Sequence, residues 1–356
     1  RSTLFPYTTL FRSGSCVHIM KRKMTVALDA MGGDNAPHEI CKGAIDACKA
    51  FPDLEVVLTG DEGRILPHLE AASSEVRARL GVVHAPEIIE MDEQPAVAIR
   101  RKRNSSLRVA MEMVRSGEAQ GCVSAGNTGA IVAGGVLVVG RLAGIDRPAL
   151  GAPLPTIERC TFLLDVGANV RCKPENLYQF ALMGSVYSRK ILGVRNPEVA
   201  LLSNGTEEIK GDESVAGARA LIAESSLNFK GYVEGDDIAW GHADVVVCDG
   251  FMGNVILKFG EGLMHGAKSI IGQEVGRRIL PKLGMLFMVP MVKSLWARFN
   301  YERYGGTPLL GVKGTVIKAH GRSKAPAVLG ALSAARNFIA GEGVEQIREE
   351  LGKELH

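Results

Sequence analysis

No run of eighteen or more uninterrupted apolar residues occurs in the 356-residue chain, so no membrane-spanning helix is expected. No Cys-x-x-Cys pair occurs either. The seven cysteines (Cys16, Cys41, Cys48, Cys122, Cys160, Cys172 and Cys248) are an odd number that cannot all pair within the chain. Reduced thiols in a cytoplasmic protein are the expectation. The P-loop pattern Gly-x-x-x-x-Gly-Lys-Ser/Thr is missing. The loop after the first apolar run reads Met31-Gly32-Gly33-Asp34 rather than Gly-x-Gly-x-x-Gly. These two absences disfavour a nucleoside triphosphatase and a dinucleotide site. There is no Gly-x-Ser-x-Gly elbow for a serine hydrolase. The eight histidines show no metal-ligand spacing with one another or with cysteine, so a metalloenzyme of the His/Cys type is not expected, and no cofactor is assigned. Net charge is also scarce: 42 Lys and Arg against 39 Asp and Glu leave +3, too little to point to a nucleic-acid partner.

What is present is segregated charge on a globular composition, 46% apolar and 23% charged. Residues 1–23 carry Arg1, Arg12, Lys21, Arg22 and Lys23 with no acid, and lack the apolar core of a secretion signal. They are read as a leader outside the fold, with Met24 opening the folded chain. Residues 277–324 hold ten Lys and Arg against Glu302 alone, which leaves the rest of the chain acidic.

From Met24 the sequence alternates strand, loop and helix. Thr25–Asp29 reads as a short buried strand, Met31–Pro37 as a loop, and Glu39–Ala50 as a helix with Ile40, Ala44, Ala47 and Cys48 on one face. Leu54–Thr59, Gly121–Ser124, Thr161–Asp165, Glu198–Ser203 and Asp244–Cys248 are further apolar runs entering small or acidic turns. The expected fold class is α/β, a mainly parallel sheet with helices on both faces. Residues 24–345 are expected to form one large domain, with 268–304 as a projecting amphipathic helical hairpin and 346–356 as the end of a C-terminal helix. In such sheets ligands sit beyond the carboxyl ends of strands.

Five loops follow those strands: DAMGGDNAP (29–37), SAGNTG (124–129), DVGAN (165–169), SNGTEEIKGDE (203–213) and DGFMGN (249–254). Any one alone reads more readily as a structural turn. Together their Gly, Asn, Ser and Thr content suits a shared phosphate or carboxylate site, since glycine lets backbone N–H groups approach an anion. The candidate binding residues are Asp29, Gly32, Gly33, Asp34, Ser124, Asn127, Thr128, Asn169, Glu207, Asn254 and Lys258. Lys210, Asn204 and Asp249 are the candidate catalytic residues. Lys210 is the leading site cation because it lies in a polar loop after a strand. Asp29, Asp34 and Asp249 could also hold Mg²⁺, or simply cap helices and loop amides.

DAMGGDNAP, RRKRNSS, SAGNTGA, LDVGANVRCKPENL, NGTEEIKGDE, ADVVVCDGFMGNVILK and YGGTPLLGVKGTVIKAHG, taken in order from about Thr25 to Arg336, resemble the bacterial phosphate acyltransferase (PlsX) family. Ser203-Asn204-Gly205 departs from the family's Asn-aliphatic-Gly. The resemblance implies a transferase of phospholipid synthesis that makes acyl phosphate from acyl-ACP and inorganic phosphate. It also implies a fold like the isocitrate and isopropylmalate dehydrogenases, and a homodimer without a nicotinamide. Other readings are a decarboxylating dehydrogenase, a phosphotransacetylase-like enzyme of acyl-CoA, and a peripheral membrane scaffold without catalysis.

Acyl carrier protein is acidic, so Arg100, Arg101, Lys102 and Arg103 become candidates for docking it, against the plainer reading of a solvated patch. Residues 277–296 place an apolar run containing Leu286, Phe287, Met288 and Val289, then Trp296, between basic flanks. Either a buried helix pair at a subunit interface or an amphipathic hairpin entering an anionic membrane surface fits that pattern. The resemblance favours the second. The product would then pass to a glycerol-3-phosphate acyltransferase from a cytoplasmic, peripherally membrane-associated enzyme.

Overall fold

Strands buried on both faces carry consecutive apolar residues, and this chain supplies them: Val26, Ala27 and Leu28, and likewise Val245, Val246 and Val247, are all at most 1% exposed. The computed structural model describes residues 23–207, 210–277, 288–292 and 305–354. Within them, eleven strands form one sheet. They are β1 (Met24–Asp29), β2 (Leu54–Gly60), β3 (Leu80–His84), β4 (Gly121–Ser124), β5 (Ala149–Pro155), β6 (Cys160–Leu164), β7 (Val199–Leu202), β8 (Phe229–Val233), β9 (Val245–Val247), β10 (Thr307–Leu310) and β11 (Thr315–Lys318). Their spatial order is β3-β2-β1-β4-β11-β10-β5-β6-β9-β7-β8.

Pairing is parallel from β3 through β11 and again from β6 through β8. Between these blocks β10 runs antiparallel to both β11 and β5, and β5 antiparallel to β6. The mainly parallel α/β sheet is therefore as expected. Three reversals in its middle, however, set the two parallel blocks in opposite senses. The five strand-end loops consequently do not share one edge. Each sheet step adds a twist of about 20 to 25°, which swings one block well out of the plane of the other.

Helices cover the strands as the apolar periodicity requires. His38–Ala50 buries Ile40, Cys41, Ala44, Ile45, Ala47 and Cys48 and packs on Ala325–Ala340, with Gly43 against Val328. Gly250–Arg277 begins inside the second block and carries exposed Phe251, Val255, Phe259 and Leu263 at four-residue intervals. The expected hairpin start at residue 268 thus falls within this helix, and Leu286, Phe287 and Trp296 lie outside the described residues. Met288 is 46% exposed. The C-terminal helix is Gly343–Glu354.

Candidate active site

The first block contributes two loops that lock each other. Asp29, at the end of β1, is buried and accepts from Ser124 Oγ at 2.6 Å and from Met31 N at 3.2 Å. Burial pushes its carboxyl above the usual aspartate range, partly offset by these bonds and one from Ser106. Ser124 Oγ also accepts from Gly126 N at 3.0 Å, and Gly32 lies against Asp29 and Gly126. Asn127 caps the Thr128–Gly134 helix through Ala130 N and donates to the carbonyls of Glu90 and Met91. These polar groups build the loops. Gly33, at φ +96°, has Gly321 O where a Cβ would fall, 2.9 Å away, and Asp34 N donates to that carbonyl at 2.8 Å. Asn35 Nδ2 adds bonds to the carbonyls of Arg322 and Ser323. The first strand-end loop is thus stitched to residues 321–323.

In the second block Asp165 is the anchor. Fully buried, it accepts from the amides of Leu150, Gly167, Ala168 and Asn169 and from Asn169 Nδ2, over 2.7 to 3.2 Å. Desolvation holds its pKa above the ordinary value against those donors. Asn169 is itself buried and also donates to Pro148 O. Asp249 Oδ1 accepts from Phe251 N and Met252 N, so it caps the Gly250–Arg277 helix. Asp29, Asp34 and Asp249 therefore serve separate places and do not converge as a cation site.

The blocks meet across β5 and β10 in a cleft of about 450 Å³. Asp34, Gly126 and Thr128 line it from the first block, and Val166, Gly167, Asn254 and Lys258 from the second. Four basic side chains share its wall: Lys258, Lys318, His320 and Arg322. Lys258 Nζ lies 2.7 Å from the Glu261 carboxylate and 3.4 Å from His320 Nε2. Desolvation lowers the Lys318 pKa below the ordinary lysine value, with Lys258 reinforcing the shift and Glu261 opposing it. The same causes, in the same order, lower His320, with Lys318 and Arg322 adding to the effect. The shift favours the uncharged ring. Arg322 N donates to His320 Nδ1 at 3.1 Å, which assigns the ring proton to Nε2. The cleft thus presents basic side chains and one neutral N–H donor, with the carboxylates of Asp34 and Glu261 also in its lining, an arrangement that can hold an oxyanion.

Of the residues anticipated from sequence, Asp34, Thr128, Asn254 and Lys258 reach this cleft. Asp29, Gly32, Gly33, Ser124, Asn127, Asn169 and Asp249 shape the loops around it. Among the described residues Asn204, Glu207 and Lys210 do not line it, because β7, which they follow, lies beyond β6 and β9 toward the sheet's edge. Asn204 Oδ1 instead accepts from Gly211 N at 3.2 Å. Lys318, His320 and Arg322 were missed as site residues. The available signal was the apolar run Thr315–Ile317 entering Lys-Ala-His-Gly, the same strand-then-polar-turn grammar seen elsewhere. In the basic run, Arg100, Arg101 and Arg103 are exposed, while Lys102 pairs with Glu93 and donates to Ile88 O at 2.6 Å.

Comparison with known proteins adds a sequence relationship. A family model described as fatty acid synthesis protein matches residues 24–346. A phosphate acyltransferase of Heliobacterium modesticaldum is 49% identical over 328 residues, which cover 92% of this chain and 98% of that protein. One of Geobacillus thermodenitrificans is 46% identical over 329 residues, covering 92% and 99%. Among solved structures, a phosphotransacetylase from Streptococcus pyogenes aligns with a TM-score of 0.59 at 18% identity, over 89% of this chain and 94% of its own. A branched-chain phosphotransacylase from Enterococcus faecalis aligns with a TM-score of 0.51 at 15% identity, over 89% and 99%. The structural likeness is one of fold.

Proposed function

This chain belongs to the fatty acid synthesis protein family, whose members at nearly half identity are phosphate acyltransferases, and from that premise we propose that it transfers an acyl group from acyl carrier protein to inorganic phosphate. The observation that carries the reading is the basic wall of Lys258, Lys318, His320 and Arg322 in the cleft between the blocks. An acceptor as strongly hydrated as phosphate must lose water before it attacks, and fixed cations with a neutral N–H donor replace that hydration.

In the reaction an oxygen of hydrogen phosphate attacks the thioester carbonyl carbon. A C–O bond forms, the C–S bond breaks, and the proton of hydrogen phosphate ends on the departing thiolate. Acyl phosphate and free carrier thiol result, with no redox change. Lys258 and Lys318 hold the phosphate charge, the role the sequence suggested for Lys210. His320 Nε2–H, Thr128 and Asn254 donate to its oxygens or to the developing oxyanion. Asp34, whose backbone N–H bonds Gly321 O beside His320 and Arg322, carries the proton. Holding the reactants together supplies about 7–11 kcal/mol, and each well-placed oxyanion donor about 3–4 kcal/mol. Mixing the protein with acyl-ACP and phosphate should release free carrier thiol in a phosphate-dependent manner. Thioester loss that ignores phosphate would refute the transfer.

The docking partner approaches the rim. Met91 lines the cleft and is 56% exposed, and the Pro95–Arg101 helix that follows it presents Arg100 and Arg101, with Arg103 just beyond. Reversing Arg100, Arg101 and Arg103 to Glu should raise KM for acyl-ACP about tenfold at low salt with kcat retained. Wild type and variant should converge as salt is added. Equal KM values at low salt would place docking elsewhere.

A second copy of the chain is proposed to cover the apolar stripe of Phe251, Val255, Phe259 and Leu263. The basic and apolar residues of 277–296 are proposed to rest on an anionic membrane surface. There the greasy product would reach a glycerol-3-phosphate acyltransferase. No helix among the described residues is long and apolar enough to cross a membrane.

A further inference from the structure

Among the described residues, one buried side-chain polar atom of the cleft lining has no hydrogen-bond partner. Ser323 is 3% exposed, and its Oγ meets no donor or acceptor among the described residues. A buried hydroxyl in that state is costly, and native structures keep few of them without a use. Ser188 Oγ shares the condition but belongs to the Pro174–Lys190 helix, away from the cleft. Ser323 lines the cleft with Lys318, His320 and Arg322.

The backbone around Ser323 is held on several sides. Ser323 N donates to His320 O at 2.9 Å, Asn35 Nδ2 binds the carbonyls of Arg322 and Ser323, and Asp34 N binds Gly321 O. Only the hydroxyl is free to turn. It precedes the sixteen-residue helix Ala325–Ala340, whose amino end adds positive potential. That helix supplies little else, since Ala325 N is taken by Glu39 Oε2 at 2.8 Å, Pro326 has no N–H, and Ala327 N and Val328 N bond Lys324 O. The Ser323 hydroxyl is therefore the donor left over beside Lys318, Arg322 and the amino end of that helix.

We propose that Ser323 Oγ–H donates directly to an oxygen of the bound phosphate, completing a subsite with Lys318, Arg322 and His320 Nε2–H. The proposal rests on the phosphate-acceptor reading above, and makes Ser323 a catalytic residue that acts on the acceptor rather than on the acyl group.

Titration of inorganic phosphate into the full-length protein, without acyl donor, tests it. Ser323→Ala should weaken phosphate Kd about tenfold to a hundredfold, the range of one hydrogen bond to a charged group. KM for phosphate should rise in parallel while KM for acyl-ACP stays put, and Ser323→Thr should recover part of the loss. Without phosphate the Ala variant should melt no lower than wild type, because the hydroxyl it loses had no partner. The rise in Tm that phosphate gives wild type should shrink in it. An unchanged phosphate Kd in Ser323→Ala overturns the proposal, as does lost turnover with phosphate binding intact. A wild-type protein that neither binds phosphate nor releases carrier thiol in its presence instead overturns the reading beneath it.

Discussion

Lys318→Met should lower phosphate-dependent turnover by about 10²- to 10³-fold, the usual loss on removing one preorganised charge-stabilising group from a desolvated site. Lys318 ends β11 on the cleft wall, and methionine replaces its apolar stem with an unbranched chain one atom shorter, so folding should survive. The substitution also has a pH signature. Because desolvation, with Lys258 beside it, lowers the Lys318 pKa in the folded protein, the unfolded chain holds a proton that the folded chain has released. That difference applies between the folded pKa and the ordinary lysine value of about 10.4. Stability of the unliganded protein should therefore rise with pH across that window. Phosphate affinity should fall across the same window, since the ammonium that binds it is lost. In Lys318→Met both slopes should flatten. Denaturant melts and phosphate titrations across the alkaline range measure the two slopes, and a variant with wild-type turnover would remove Lys318 from the site.

Asp165→Ala should have the largest effect on stability. Four backbone amides and the Asn169 side chain converge on this one buried carboxylate. Removing it leaves the Leu150 and Asn169 amides buried and unpaired and takes the acceptor from the part-buried Gly167 and Ala168 amides, at roughly 1–3 kcal/mol for each group. A loss of at least about 4 kcal/mol follows, a large share of the 5–15 kcal/mol that holds a typical protein folded. Gly253 shows how tightly the loop is clamped, since a Cβ there would fall 1.9 Å from Asp165 O. Asp165→Asn retains one acceptor oxygen and should cost less than Asp165→Ala. Chemical denaturation checks the order, and an Ala variant as stable as wild type would contradict it.

Much of the first block was legible in the sequence. The Gly121–Ser124 strand has the expected bounds, and β1 and the His38–Ala50 helix begin one residue earlier than expected, because apolar runs and punctuating Gly and Asn residues are local signals. The antiparallel centre was not legible. Its strands read Ala149-Leu-Gly-Ala-Pro-Leu-Pro155 and Thr307-Pro-Leu-Leu310, and proline inside a run argues against a strand. Without those strands the five loops seemed to share an edge, and Lys210 read as the leading site cation ahead of Lys258. The long-range stitching of Asp34 and Asn35 to residues 321–323 could not be read from local pattern at all. It explains why the Gly-Gly-Asp-Asn loop matters although most of its groups never reach the cleft. The excess of basic residues in 277–324 also divides: Lys318 and Arg322 face the cleft, so that charge is not wholly a surface for membranes.

The account stands on phosphate binding to the wall between the two blocks, and arsenate, a heavier analogue with its own anomalous signal, can report where that happens. In crystals soaked with arsenate and no acyl donor, the anomalous peak should lie within hydrogen-bonding reach of Lys318, His320 Nε2 and Ser323 Oγ, with Lys258 beside it. A peak beside Lys210 in the loop after β7, with the cleft empty, would contradict the account.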